Sequence, residues 1–265
     1  MSTDSTLALR QPTVLITGAA KRMGREIALT LAKAGWRVAV HYRDSVEDAA
    51  KTVADCKRLA GASASFRANL ASETAVRNLL PTVIEEFGHV DALVNSASTF
   101  EHDTAATFTF AALEKHVRSN AGAAILLSYA LNEHLKAQGD AARGAIVNLL
   151  DQKLWNPNPD FMSYTLSKAA LEAANTMLAI ELAPRMRVVG VAPGLTLSSH
   201  MLSPEKFDAF NKLSPLRHAS TATDVAATVA FALNNKSITG TTILVDGGQH
   251  LVTTDVRAQN EASHS

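Results

Sequence analysis

PTVLITGAAKRMGREIALTLA, residues 12–32, decides the fold. Thr13 to Thr17 is a β-branched, apolar run of strand length, and from Arg22 to Ala34 the apolar residues recur with helical period. The turn between them carries Gly18 and Gly24, where backbone N–H groups at a helix N-terminus can approach a pyrophosphate. Two glycines alone say little. Their place after a first strand and at the start of a first helix carries the reading.

Working outward, strand-like runs alternate with helical ones along most of the chain. Further strands are expected at Arg37 to Tyr42, Ala64 to Arg67, Val90 to Asn95, Ala145 to Leu150, Arg187 to Ala192 and Thr242 to Val245. Helices are expected at Arg22 to Ala34, Val46 to Ala60, Glu73 to Phe87, Ala111 to Gln138, Ser163 to Leu182 and Thr223 to Asn234. This alternation predicts an α/β protein: one doubly wound Rossmann domain over residues 13–252, with a seven-stranded parallel sheet covered by helices on both faces. No Pro/Gly/Ser-rich linker divides it. Residues 1–12 read as a flexible N-terminal segment and 253–265 as a polar C-terminal tail.

Composition narrows the function. The 25 Lys plus Arg balance 25 Asp plus Glu, which argues against a nucleic-acid binder built on phosphate neutralisation. With 47% hydrophobic and 19% charged residues the chain can bury a large core. The single Cys56 excludes an internal disulfide and cysteine-pair zinc sites, and the nine histidines show no His-x-x-x-His spacing, so no metal is expected. No apolar run reaches the ~20 residues of a membrane span, and the start MSTDSTLALRQP lacks the basic and apolar regions of a signal peptide. A soluble, cytoplasmic protein acting on a small molecule is the expectation.

Chemistry-bearing residues cluster after the fifth strand. Tyr164 and Lys168 stand four apart in SYTLSKAALEAA, on one face of an expected helix. Asp151, thirteen residues before Tyr164, ends the strand IVNLLD, where open α/β sheets place their ligands. At the second strand's end HYRDS offers no carboxylate at the tip to hold the 2′-hydroxyl of NAD, and Arg43 stands just beyond. Arg22, Arg43 and Ser45 can receive the 2′-phosphate of NADPH. Asp44 opposes this: if it faces the ribose, the preference relaxes towards NAD.

These motifs together resemble the short-chain dehydrogenase/reductase family over roughly Thr13 to Gly248. Thr17-Gly18-x5-Gly24 looks like its TGxxxGxG loop with Arg22 in place of the middle glycine; VNSAS (94–98), ANL (68–70), APG (192–194) and ITGTTILVDGG follow in the family's order. The resemblance implies a catalytic set of Asn120, Tyr164 and Lys168, with Asp151 in the place of the usual serine. It implies that NADPH contacts Gly18, Lys21, Arg22, Met23, Gly24, Tyr42, Arg43, Ser45, Asn69, Leu70, Asn95, Ser96, Ala97, Tyr164, Lys168, Pro193 and Gly194. Lys168 is then expected to hold the nicotinamide ribose and to ease ionisation of Tyr164, a shift of ~3 units or ~4 kcal/mol from a free phenol. Asn120 is expected to hold a helix kink and a water. A homotetramer is implied too, with the Ala-rich helices Ala111 to Gln138 and Ser163 to Leu182 packing across a twofold.

Asp151 narrows the substrate. A ketone oxygen gains negative charge during reduction, which a serine hydroxyl stabilises and a carboxylate repels. A C=N nitrogen must gain a proton, which a carboxyl group can supply. The loop TGAAKRMGREIA, HYRDS, NSASTF and Asp-x12-Tyr-x3-Lys resemble one subgroup, the pteridine reductases and related dihydropterin reductases. That resemblance makes Phe100 the ring that stacks on a pterin, with Ser98, Phe161, Asp151 and Tyr164 beside the substrate. Two other readings stand: Phe100 as core and Asp151 as a loop cap. The segment 195–218 matches the family's substrate lid, and Trp155 either walls the pocket or only packs. A carbonyl or 3-oxoacyl reductase is the alternative function; a non-catalytic NADPH sensor would require loss of the Tyr and Lys pair.

Overall fold

The computed structural model describes residues 10–196, 212–218 and 220–252. In chain order the elements are β1 (Thr13–Thr17), α1 (Arg22–Lys33), β2 (Arg37–Tyr42), α2 (Val46–Ala60), β3 (Ser63–Arg67), α3 (Glu73–Phe87), β4 (Ala92–Asn95), α4 (Phe110–Val117), α5 (Ala123–Ala137), β5 (Gly144–Leu149), α6 (Met162–Glu181), β6 (Met186–Pro193), α7 (Ala222–Asn234) and β7 (Thr241–Val245). The strands form one seven-stranded parallel sheet in the order β3-β2-β1-β4-β5-β6-β7.

β1 sits centrally, and all five of its residues are buried. Its alternation feeds two cores: Val14 and Ile16 pack with Ile27, Leu31, Val225 and Val229 of α1 and α7, and Leu15 packs with Leu80, Val83, Leu127 and Leu178 of α3, α5 and α6. A strand buried on both faces needs apolar residues at every position, which explains why TVLIT shows no polar alternation. β1 pairs with β2 on one side and β4 on the other, so the chain winds away from it in both directions. The crevice at the carboxyl ends of β1 and β4 is therefore the topological switch point where such folds bind ligands.

Three expectations need correction. The expected helix Ala111 to Gln138 is interrupted: α4 ends at Val117, a π-helical turn spans Arg118–Gly122, and α5 begins at Ala123. Residues 10–12, assigned to a flexible segment, are tied to the base of the sheet. Arg10 pairs with Asp91, the Gln11 amide donates to the Gly35 carbonyl at 2.8 Å, and the Pro12 carbonyl accepts from Arg37 N at 2.8 Å. The fourth strand starts at Ala92, two residues later than expected. Of the lid segment, residues 197–211 lie outside the described residues, as do 1–9, 219 and the tail 253–265. Among the described residues no helix is long and apolar enough to cross a membrane.

Candidate active site

The glycine turn is built by close approach. Gly18 has φ +67°, and a Cβ there would lie 2.8 Å from Ala97 Cα; a Cβ on Gly24 would lie 2.2 Å from the Gly18 carbonyl oxygen. Both glycines thus let α1 and the β4 loop close on the turn. Arg22, standing where the family has a glycine, takes that backbone shape at φ +55°. A left-handed residue with a Cβ costs about 1–2 kcal/mol, and such strain persists where the site uses the side chain. The N-cap residue Lys21 makes no side-chain cap bond to α1, and that helix N-terminus lines the crevice. The Gly18 N–H is not part of that cradle: it donates to His41 Nδ1 at 3.0 Å.

A groove of about 670 Å³ runs along the carboxyl ends of the strands. Gly18, Lys21, Arg22, Met23 and Gly24 line one end, with Tyr42, Arg43, Asp44 and Ser45 beyond β2 and Asn69 and Leu70 beyond β3. Ser96, Ala97, Ser98 and Phe100 continue it past β4 to Glu101, Lys115 and Ser119. Arg43 Nε donates to Asp44 Oδ2 at 2.7 Å, and an Arg67 nitrogen lies 3.8 Å from the same carboxylate. Asp44 thus faces two guanidinium groups. All three side chains are exposed, so these pairs contribute little to stability and yield readily to an anion.

Several expected cofactor residues lie outside this groove's lining. The Asn95 side chain is buried and donates to Asn148 Oδ1 at 2.8 Å; Asn148 in turn donates to Asn175 Oδ1 at 3.1 Å. Asn95 therefore belongs to a polar ladder linking β4, β5 and α6. Pro193 ends β6, and Gly194 donates to the Val245 carbonyl at 3.0 Å, with Asp246 packed where a Cβ would stand.

The residues expected to be catalytic do converge. Tyr164 Oη donates to Asp151 Oδ2 at 2.6 Å, and Asp151 Oδ1 accepts from the Lys153 N–H at 2.9 Å. The cap reading of Asp151 is met by one oxygen, which caps the short 3-10 turn Gln152–Leu154, while the other oxygen faces the phenol. Burial, reinforced by the charge and hydrogen bond of Asp151, pushes the Tyr164 phenol well above its usual range. Both causes act against the easing expected of Lys168 together with the positive ring of the oxidised cofactor. The Lys168 ammonium lies 5.9 Å from the Tyr164 ring centre and donates to the Leu149 carbonyl at 2.6 Å. Burial depresses it to about 8, opposed by Asp151.

Asn120 sits in the π-helical turn, a feature frequent at functional sites. Its side chain accepts from Thr99 N at 2.7 Å and donates to the Thr99 carbonyl at 3.0 Å and to Ser167 Oγ at 2.9 Å. The kink is as expected, and the amide ties the turn to the Thr99 loop and to α6. Phe100, on the loop so clamped, is half exposed and stacks on Phe161 with ring centres 4.3 Å apart; it meets the Tyr164 ring edge-on at 4.7 Å. Phe100 is therefore not core. Phe161 holds φ +57° at the start of α6.

Some supporting residues escaped the sequence reading. Thr17 Oγ1 accepts from the N–H groups of Ser96 and Ala97, each at 3.0 Å, fixing the β4 loop to β1. Buried Asp103 caps α6 through Ser163 N at 3.0 Å and the Ser163 hydroxyl. Its 60-residue separation from Ser163 leaves no local signal. His41 is a third such residue.

A glycine cradle at the switch point beside a Tyr-Lys-Asn set defines an oxidoreductase of the doubly wound class. The family model described as enoyl-(acyl carrier protein) reductase matches residues 18–250, and the chain belongs to the short-chain dehydrogenase/reductase family. Among curated proteins, the 3-oxoacyl-(acyl-carrier-protein) reductase of Staphylococcus epidermidis is 32% identical over 89% of this chain and 98% of its own length. Among solved structures, FolM alternative dihydrofolate reductase 1 from Brucella canis, complexed with NADP, is 35% identical with a TM-score of 0.84, over 91% of this chain and 95% of that one. Its counterpart from Brucella suis, also in complex with NADP, is 34% identical with a TM-score of 0.82, over 91% of this chain and 96% of that one.

Proposed function

We propose that this protein is an NADPH-dependent reductase of the C=N bond in a pterin or folate-like ring, working in the cytoplasm as a homotetramer. The observation that carries the reading is the 2.6 Å bond from Tyr164 to the carboxyl of Asp151, at a site where a ketone reductase needs a neutral donor. The similarity to FolM alternative dihydrofolate reductase 1 supports the same substrate class.

The groove fits a dinucleotide phosphate. Its glycines leave no room for side chains, α1 turns its N-terminus to the groove with no cap bond from Lys21, and Arg22 and Arg43 line it. When bound, NADPH supplies the hydride. Lys168, charged below about pH 8, would hold the nicotinamide ribose. Tyr164, held neutral by burial and by Asp151, orients the carboxyl and takes part in the proton path. Asp151, only partly buried, takes a proton from solvent, passes it to the ring nitrogen as the hydride arrives at the neighbouring carbon, and returns to the carboxylate that Tyr164 faces. Phe100 covers one face of the substrate ring, with Phe161 and Ser98 beside it. Exposed Ile125 and Tyr129 on α5 and Met177 and Ile180 on α6 provide the apolar faces that a tetramer covers.

A 3-oxoacyl reductase is the second reading, supported by the Staphylococcus epidermidis relative. The two separate in one assay: NADPH oxidation with dihydrobiopterin, dihydrofolate, dihydromonapterin and a β-ketoester in parallel. Turnover of the pterins alone supports the proposal; turnover of the ketoester alone removes it.

A further inference from the structure

We propose that His41 is a positioning residue for the dinucleotide, its imidazole fixing the spacing between the glycine turn and the loop after β3. The inference rests on the reading that the groove binds NADPH. His41 is the penultimate residue of β2, 2% exposed, and borders the groove. Its Nδ1 accepts from the Gly18 N–H at 3.0 Å and its Nε2 lies 3.1 Å from the Ala68 carbonyl. The first contact requires a bare Nδ1 and the second a protonated Nε2, so one neutral tautomer satisfies both. Its backbone carbonyl also accepts from the Ala19 N–H at 2.9 Å. Burial holds the imidazole down at about 4, so that tautomer persists at neutral pH.

Geometry gives this bridge its consequence. Gly18 opens the turn that leads to the α1 N-terminus, and Ala68 immediately precedes Asn69, which lines the far side of the groove. A rigid five-membered ring between them fixes how far the pyrophosphate end lies from the adenine end. The ring touches protein atoms on both sides, so it acts through the loops, without discriminating the 2′-phosphate.

The test uses the full-length protein titrated with NADPH and with NADH by fluorescence, for wild type and three variants. His41→Asn places an amide oxygen where Nδ1 stood and keeps the Gly18 contact; His41→Gln reaches Ala68 but loses Gly18; His41→Phe loses both. At roughly fivefold per lost hydrogen bond, Asn and Gln each weaken binding about fivefold and Phe about 25-fold, equally for both dinucleotides, with kcat at saturating cofactor changed less than KM. Unchanged dissociation constants in a folded Phe variant, or a loss confined to NADPH, overturn the inference while the groove reading survives. Failure of wild type to bind either dinucleotide overturns the groove reading, and the inference with it. Should the variants not fold, ¹⁵N NMR of the wild-type imidazoles decides: an Nε2-protonated neutral His41 is expected, and an Nδ1-protonated or charged ring overturns the bridge.

Discussion

Replacing Asp151 by Asn changes one functional group while preserving shape. In the native site Oδ1 accepts from Lys153 N at 2.9 Å and Oδ2 from Tyr164 Oη at 2.6 Å. An asparagine keeps the first bond with its oxygen, and the turn Gln152–Leu154 stays capped, since Asn caps about as well as Asp. Its amide nitrogen then faces Tyr164, where it can donate but cannot pass on a proton. General acid catalysis contributes typically 10²–10⁴-fold, so pterin turnover falls by at least ~100-fold, about 2.7 kcal/mol of barrier. The cap and the groove are untouched, so NADPH affinity stays within a few-fold. The carboxylate also helps to raise the Tyr164 phenol, so its removal lets that phenol titrate lower, which ultraviolet difference spectra can follow. Asp151→Ser is equally poor on pterins and gains a trace of ketone reduction. Steady-state NADPH oxidation measures all three activities. Full pterin turnover by the Asn variant would refute the proton role and leave Asp151 as a cap only.

Arg22→Ala weakens NADPH by ~10- to 150-fold and leaves NADH nearly unchanged, from ~1.5–3 kcal/mol for charge-assisted bonds to a phosphate; equal losses for both cofactors in binding titrations would contradict the assignment. Phe100→Ala raises KM for a dihydropterin roughly tenfold, through lost stacking and buried area, with NADPH binding unchanged; an unaltered KM would return the ring to a packing role. His41 titrates at about 4 in the fold against 6.5 when unfolded, so the unfolded chain binds more protons between those values and stability falls as pH drops through that window. Between about pH 7 and 5 the loss is about 2 kcal/mol, read from urea midpoints, and it should vanish in His41→Asn.

Where physics is local, the sequence was readable. TVLIT followed by a glycine turn permits little besides a buried strand entering a helix, and β1, β2, α2 and α3 have the expected bounds. That Asp151 and Tyr164 share one site was also legible, because the end of β5 and the helix that follows it meet at the carboxyl edge of the sheet. The kink at Asn120 was legible only through the family resemblance: one extra residue per turn leaves helix propensity unchanged, and the turn's partner Thr99 lies 21 residues away. Asn95 turned inward because Asn148, on the neighbouring strand, offered a buried partner. His41 read as one more strand residue, since its partners Gly18 and Ala68 come together only after the sheet forms. The upward push on Tyr164 likewise depends on burial, which no motif spacing conveys.

The central claim, that a carboxyl group in the serine's place selects a C=N bond, can be tested in one tube. Equimolar dihydropterin and 3-oxoacyl thioester compete for limiting NADPH carrying deuterium at the transferable position, and the products are examined by NMR. The account predicts deuterium on the former C=N carbon of a tetrahydropterin. Deuterium mainly on the carbinol carbon of a 3-hydroxyacyl thioester would contradict it.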